Sequence, residues 1–374
     1  MKRNVVTYLA LLCAMLAGLL AGCGTSSDPT ELVEAGRQAV EVSRACTGVD
    51  HYADAVDSLT QALEADPQHG EAHYWLYLAR TDMGDAAAAA EIVSALSGLA
   101  TYGEDAALHF WLLKIYAVQG DATAQADTLA DLQRMATSNA ADADVQFWLG
   151  RALHVTGATP EALAALESAV ALDPDHVQAH FWLGQIYFEQ QLLEQAWQEF
   201  DAVIALDSHH AAAYHNRGAI AYQMGNLEDA LADFERAQQE DPDDAQTYYQ
   251  LGAVHLVQSL PESPLGLPDA GLLETAEEDF ERALELCPGM LEPLIGLGNL
   301  YLFQSDLAAA MDVLEQALEQ NPASVEALFA LARAQAQSGQ LEASCESLER
   351  FLEAELPDEW REQGEQMRSQ IGCP

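Results

Sequence analysis

Apolar residues along this chain recur at the spacing of amphipathic helices, and the pattern itself returns at a fixed interval. Leu183, Gly184 and Tyr187 form one stripe of a first helix, and Ala196 and Phe200 face them from a second. The small residues lie where two helices must approach closely. The sequence therefore predicts a chain of helical hairpins of about 34 residues each, most regular across 143–176, 177–210, 211–244, 245–290 and 291–324.

Asp-Pro pairs mark the ends of second helices, as at Asp173-Pro174 and Asp241-Pro242. Proline disfavours α geometry in the residue before it, so each pair predicts a helix end. The pattern is looser toward both ends of the chain, where Ala332 and Ser344 replace the Gly and the Ala of the last unit. Asp28-Pro29 predicts a capped start for a helix beginning near Glu31.

These residues resemble the tetratricopeptide (TPR) pattern, in which Leu-Gly and Tyr lie on the first helix and Ala, Phe and Ala on the second. The resemblance spans nearly all of 31–358. It implies an all-α fold, a right-handed α-solenoid of about nine TPR helix-turn-helix repeats plus a C-terminal capping helix. In such an array each unit buries its face only against its neighbours.

Two segments depart from the repeat. In unit 245–290 the second helix arrives late, and the extra residues near 259–272 are rich in proline and leucine. We expect a projecting loop there, which is either a tolerated surface insertion or a partner contact. Residues 359–371 predict a short capping helix followed by a tail to residue 374, with Trp360 placed to cover the last repeat.

The first 22 residues are a predicted lipoprotein signal peptide. Lys2 and Arg3 precede an uncharged apolar stretch too short to span a membrane, and Leu20-Ala21-Gly22-Cys23 resembles a bacterial lipobox. The resemblance implies cleavage before Cys23 and attachment of lipid to its sulfur, with residues 23–30 as a short tether. Gly24, rather than Asp, favours the outer membrane over the inner membrane.

The charge excludes several classes of ligand. Acidic residues number 60 and basic residues 15, giving a formal charge of −45 with no basic stripe. Such a chain repels nucleic acid and anionic lipid head groups, so we expect no nucleic-acid partner and membrane contact through the lipid alone.

Four cysteines remain after the signal peptide and the lipidated Cys23. Cys345 and Cys373 can meet if the last helix folds back, and the sequence leaves open whether they form a disulfide. Cys46 and Cys287 are separated by many repeats, so we expect them not to touch and to act as small buried hydrophobes.

No motif for catalysis or for a metal site occurs. The pairs His69 with His73 and His176 with His180 have the i, i+4 spacing of metal ligands, but they occupy equivalent repeat positions and lack a third ligand. Duplication of a structural residue explains them, and His210 lies in the same turn. We expect no enzyme activity, no metal and no cofactor.

Aromatic pairs precede the Leu of four successive first helices. By helical geometry they point away from the partner helix of their own pair, toward a wall that binds ligands in TPR proteins. Packing between repeats is the alternative interpretation. The predicted partner-binding groove consists of Tyr74, Trp75, Phe110, Trp111, Phe147, Trp148, Phe181 and Trp182.

The same wall carries few cations, chiefly Lys114, Arg151 and Arg333, so the clamp that TPR domains use for acidic tails is missing. We therefore expect a protein or peptide partner that is apolar, basic or both. The sequence predicts a scaffold at the periplasmic face of the outer membrane, in assembly or secretion machinery such as a pilus or secretin system. Exopolysaccharide export or outer-membrane protein insertion is the alternative, and a metal-storage protein or enzyme is the rival from another class.

Overall fold

The computed structural model describes residues 28–46, 49–102, 105–260 and 268–373. Within these residues every regular element is an α-helix, and no strand occurs. The signal peptide, Cys23 and most of its tether lie outside the described residues, as do residues 261–267 of the expected loop. The all-α prediction is confirmed.

The described chain divides into two compact units. The first comprises the described parts of Met1–Ser43 and Asp50–Ala140, and the second comprises Arg44–Val49 and Ala141–Pro374. The helices that begin in the first unit are α1 (Pro29–Ala45), α2 (Tyr52–Ala65), α3 (Gly70–Asp82), α4 (Ala86–Tyr102), α5 (Ala106–Gln119) and α6 (Ala122–Ser138).

The second unit holds six helix pairs and a last helix. Its helices are α7 (Ala143–Val155), α8 (Thr159–Leu172), α9 (Val177–Glu189), α10 (Leu193–Leu206), α11 (Ala211–Gln223), α12 (Leu227–Glu240), α13 (Ala245–Ser259), α14 (Ala270–Leu286), α15 (Leu291–Gln304), α16 (Leu307–Gln320), α17 (Val325–Gln337), α18 (Leu341–Glu353) and α19 (Asp358–Ile371). The described residues thus give nine helix pairs, counted from α1–α2 to α17–α18, and the capping helix α19.

Close helix packing within a pair depends on the predicted small residues. A Cβ atom added at Gly184 of α9 would lie 2.9 Å from the ring of Phe200 on α10, and one at Gly252 of α13 would lie 2.7 Å from Phe280 on α14. Both phenylalanines are fully buried. The first helix therefore has glycine at this position because a buried ring of the second helix fills the space that a side chain would need.

Ion pairs join the two helices of several pairs, beside the apolar core. The residue before the buried Phe of the second helix is acidic, and its carboxylate contacts a basic side chain of the first helix. His180 Nδ1 lies 2.7 Å from Glu199, and His255 Nδ1 lies 2.7 Å from Asp279. These contacts are within hydrogen-bond distance and partly shielded, so they orient each pair as well as stabilise it.

Two disulfides occur in the second unit. Cys345 on α18 is bonded to Cys373 after α19, which resolves the question that the sequence left open. Cys46 is bonded to Cys287, so the prediction that these two residues do not touch is wrong. That prediction measured distance along the repeats, whereas Cys46 belongs to the same compact unit as Cys287.

The capping helix covers the last repeat as predicted. The Trp360 ring lies 6.1 Å from Phe351 of α18 and 6.3 Å from Phe329 of α17. At the Ala position of this repeat, the Ser344 hydroxyl donates a hydrogen bond of 2.8 Å to the Ala332 carbonyl, so the polar replacement is satisfied. α19 begins at Asp358, one residue before the predicted start.

Candidate functional site

A cation contacts two tryptophans on the first helices of the second unit. The Arg151 guanidinium is centred 4.3 Å from the Trp182 ring and 5.1 Å from the Trp148 ring, so α7 and α9 share one stack. All three side chains are partly exposed. A guanidinium in contact with indoles is held by cation–π attraction, which fixes the rings as a rigid surface.

The first unit has a similar arrangement around its lysine. The Lys114 ammonium lies 4.2 Å from the ring of Tyr74, 5.1 Å from that of Trp111 and 6.0 Å from that of Trp75. The rings of Tyr74 and Trp111 are themselves 5.2 Å apart, which links α3 to α5. Lys114 and Arg151, two cations that the sequence places on the predicted groove wall, therefore both contact aromatic rings of that wall.

The eight predicted groove residues differ in exposure. Trp75, Trp148, Phe181 and Trp182 are partly exposed. The other four are buried, at 6 % for Tyr74, 1 % for Phe110, 5 % for Trp111 and 3 % for Phe147. A buried ring contacts a ligand only if the repeats open, so these four pack between helices and support the exposed ones.

The expectation that every ring points away from its own pair does not hold for Phe181. Its ring lies 5.7 Å from Phe200 on the partner helix α10 and stacks at 5.0 Å on His210 of the next repeat. Phe147 likewise lies 4.9 Å from His176. Phe147 and Phe181 therefore each contact a histidine of the next repeat.

Four residues of α17, namely Phe329, Arg333, Ala336 and Gln337, line an open cleft. We call the residues at these four repeat positions in the first helices α7, α9, α11, α13, α15 and α17 the cleft face of the second unit. It consists of Phe147, Arg151, His154, Val155, Phe181, Gln185, Phe188, Glu189, His215, Ala219, Tyr222, Gln223, Tyr249, Ala253, Leu256, Val257, Ile295, Asn299, Leu302, Phe303, Phe329, Arg333, Ala336 and Gln337. Its exposed apolar members include Val155, Val257 and Phe303, at 37 %, 38 % and 42 % exposure. Trp148 and Trp182 lie one residue beyond its first position and border it.

The cleft face differs in charge from the rest of the chain. Glu189 is its only carboxylate, although the chain has 60 acidic residues. Its basic members are Arg151, Arg333 and the histidines His154 and His215, and amides such as Gln185 and Asn299 occupy other positions. An apolar and amide-rich surface bordered by charged residues is typical of a protein interaction site.

The histidines have structural roles at the repeat turns. The Nδ1 atoms of His69, His176 and His210 accept hydrogen bonds from backbone N–H groups in the first turns of α3, α9 and α11. His73 and His180 instead bond the carbonyl oxygens of Pro67 and Pro174 through Nε2. Each i, i+4 pair is thus a capping residue followed by a residue that secures the preceding turn.

Burial and carboxylates set the histidine pKa values in opposite directions. The hydrogen bond that His180 donates to Glu199 raises the pKa of His180, and burial opposes it less strongly. Burial lowers the pKa values of His73, His210 and His215. These shifts follow from local packing.

The described ranges contain no cluster of three or more His, Cys, Asp or Glu side chains that could hold a metal ion. Among the same residues, no helix combines the length and apolar character needed to cross a membrane.

Family models match the chain across most of this architecture. One tetratricopeptide repeat model matches residues 183–255, and a second matches residues 49–96 and 295–359. A TPR repeat model matches residues 150–191. Together these matches cover more than half of the sequence. The chain belongs to the tetratricopeptide repeat family, whose arrays are scaffolds for protein–protein interaction.

Solved structures share the fold at low sequence identity. The chain is similar to a structure of the APC/C hetero-tetramer Cut9–Hcn1, with TM-score 0.58 and 15% identity over 89% of this chain and 62% of that one. It is also similar to a tetratricopeptide repeat protein from Parabacteroides merdae, with TM-score 0.53 and 14% identity over 71% of this chain and 100% of that one. PilW, described as a type IV pilus biogenesis factor, has TM-score 0.51 and 16% identity over 59% of this chain and 97% of its own. No curated protein sequence matches the chain.

Proposed function

We propose that this protein is a cell-envelope scaffold that holds a protein partner on the cleft face of its second unit and catalyses no reaction itself. The observation that carries the proposal is the contrast in charge. The chain bears a formal charge of −45, yet the cleft face has Glu189 as its only carboxylate and exposes apolar side chains. Charge elsewhere disfavours self-association, while this face remains available for burial against a partner.

The bordering aromatic stack is the anchor of that site. Cation–π contacts with Arg151 restrict the rotamers of Trp148 and Trp182, so these side chains lose little further freedom when a ligand covers them. Since Arg151 already contacts both indoles, the partner meets the stack with an apolar or aromatic group. The overall negative charge attracts a partner that is basic elsewhere on its surface.

The envelope location rests on the sequence. Lipidation at Cys23 would attach the array to the periplasmic face of the outer membrane, and residues 23–30 would act as its tether. PilW, a type IV pilus biogenesis factor, has the same fold over most of its length and supports a role in assembly of an envelope machine such as a pilus or secretin.

The proposal is tested by partner capture with matched aromatic variants. Tyr248 is a suitable control because it is partly exposed and pairs with Arg282 at 5.7 Å, but lies outside the cleft face. Trp182→Ala should weaken capture of crosslinked partners from envelope extracts by tenfold or more, because buried aromatic anchors cost about 2 kcal/mol or more. Tyr248→Ala should leave capture unchanged, and equal capture by both variants would reject the site.

The anchor has a separate test. The Cys23→Ser variant should leave the outer-membrane fraction and appear in the soluble periplasmic fraction, since one membrane attachment is then lost. A variant that still fractionates wholly with the outer membrane would reject lipidation at Cys23 as the anchor, while leaving the partner site untouched.

A further inference from the structure

Arg333 on α17 is a cation without a partner among the described residues. Its guanidinium makes neither a hydrogen bond nor an ion pair there. The chain carries 60 acidic residues, and Arg217, Arg236 and Arg282 each hold at least one of them. A guanidinium has five N–H donors, so Arg333 can bind an anion that this chain does not supply.

Arg333 lines a cleft of about 400 Å³ between α17 and the capping helix α19. Phe329, Met367 and Ile371 form its apolar part, and all three are partly buried in the last core cluster. No carboxylate lines the cleft. The site therefore offers one positive charge beside a small apolar surface, without a competing negative charge.

The remaining polar groups of the cleft are amides. Gln337 comes from α17, while Gln363, Gln366 and Gln370 project from one face of α19 at intervals of three and four residues. A glutamine side chain both donates and accepts hydrogen bonds, as a peptide group does. Such a row matches the alternating N–H and C=O groups of an extended main chain better than it matches a simple ion.

We propose that this cleft binds an internal, extended segment of a partner protein, in which an Asp or Glu side chain pairs with Arg333 and a neighbouring apolar side chain contacts Phe329, Met367 and Ile371. The glutamine amides bond the main chain of the segment. The inference rests on the proposed scaffold function and names the chemistry of one part of its partner.

The shape of the site favours an internal segment over a chain terminus. The cleft is open rather than enclosed, and Phe329, Arg333, Ala336 and Gln337 belong both to the cleft and to the cleft face. A segment that lies along the cleft face therefore continues past Arg333 without ending there. The partner segment has an isolated acidic residue rather than an acidic surface, because the charge of −45 on this chain would repel a partner with many carboxylates.

A capped peptide library tests the proposal with the full-length protein. Each peptide is acetylated and amidated and carries Asp, Asn or Lys at its centre, with Leu or Ser on both sides. Asp peptides flanked by Leu should be enriched over the matching Asn peptides. Arg333→Gln should weaken their binding about tenfold or more, the usual effect of losing a hydrogen bond to a charged group. Arg350→Gln is the matched control, since Arg350 bonds the Pro322 carbonyl outside the cleft.

The possible outcomes separate the two proposals. Equal enrichment of Asp and Asn peptides, or equal binding by wild type and Arg333→Gln, would overturn the role of Arg333. The Asp peptides are also made with a free C-terminal carboxylate, and binding only in that form would overturn the internal segment. If either result appears while Trp182→Ala still loses the partner, the scaffold function stands and this inference fails. Melting curves that coincide for wild type and Arg333→Gln exclude unfolding as the cause of weaker binding.

Discussion

Arg217 on α11 forms a two-pronged ion pair with Asp233 on α12. Its Nε and Nη2 atoms donate hydrogen bonds of 2.8 and 2.7 Å to the two carboxylate oxygens. The pair is largely shielded, with side-chain exposures of 17% and 9%. Arg217 occupies the repeat position where Leu183 and Leu251 are buried in neighbouring first helices. The repeat thus accepts an ion pair in place of an apolar contact.

Removing one partner of this pair should be more harmful than removing both. Asp233→Ala leaves Arg217 with only Asp201, so it should lower the free energy of unfolding by about 3 kcal/mol. The double variant Arg217→Leu with Asp233→Ala should recover most of that loss, because it restores an apolar contact. Urea denaturation measures both variants, and a double variant that is less stable than Asp233→Ala would contradict the interpretation.

The contact between His180 and Glu199 should make stability depend on pH. Because Glu199 raises the pKa of His180 above its unfolded value, the contact stabilises the fold fully at low pH and is lost as pH rises through the folded pKa. Glu199→Gln should therefore lower the free energy of unfolding more at about pH 5.5 than at about pH 8.5. Urea denaturation at the two pH values makes the comparison, and an equal loss at both would show that the pair does not act through protonation.

Neighbouring rings of one aromatic pair should have different effects when truncated. Phe147 is 3 % exposed, so Phe147→Ala should lower stability by about 3–5 kcal/mol. Trp148 is partly exposed, so Trp148→Ala should lose partner capture with a much smaller change in melting temperature. A Phe147→Ala protein that melts like wild type would contradict the assignment of this ring to the core.

The disulfide between Cys345 and Cys373 should hold the capping helix. The two residues are separated by 28 positions in the sequence, and a loop of that size corresponds to roughly 3 kcal/mol of stabilisation. Cys345→Ser with Cys373→Ser should lower the melting temperature and expose α19 to limited proteolysis. Cys46→Ser with Cys287→Ser serves as the comparison and should leave α19 protected. Free thiols at Cys345 and Cys373 in the oxidised native protein would contradict the bond.

Periodicity predicted the helices because each repeat encodes its own packing. Gly184 opposite Phe200, and Ser344 bonded to the Ala332 carbonyl, are local relationships that a single unit determines. The bond between Cys46 and Cys287 is different, since it joins residues separated by 241 positions and depends on where Cys46 packs. No pattern within one repeat contains that information.

The candidate site was predictable only in part for the same reason. Helical spacing located the aromatic pairs, but exposure depends on neighbouring repeats, which bury Phe147 against His176. The cleft beside Arg333 needs α19, whose contribution is a row of glutamines on one helical face. The i, i+3 and i+4 spacing of Gln363, Gln366 and Gln370 was visible in the sequence and could have indicated an amide-lined surface.

Site-specific photo-crosslinking tests the central claim most directly. A photoreactive residue replaces either Gln185 on the cleft face or Gln198, an exposed glutamine on the second helix α10 of the same repeat, and the cells are irradiated. The proposed function predicts a discrete partner crosslinked from position 185 and absent from position 198, and its yield should fall when Trp182→Ala is added. Crosslinks to that partner from position 198 and none from position 185 would contradict the proposal that the cleft face is the binding surface.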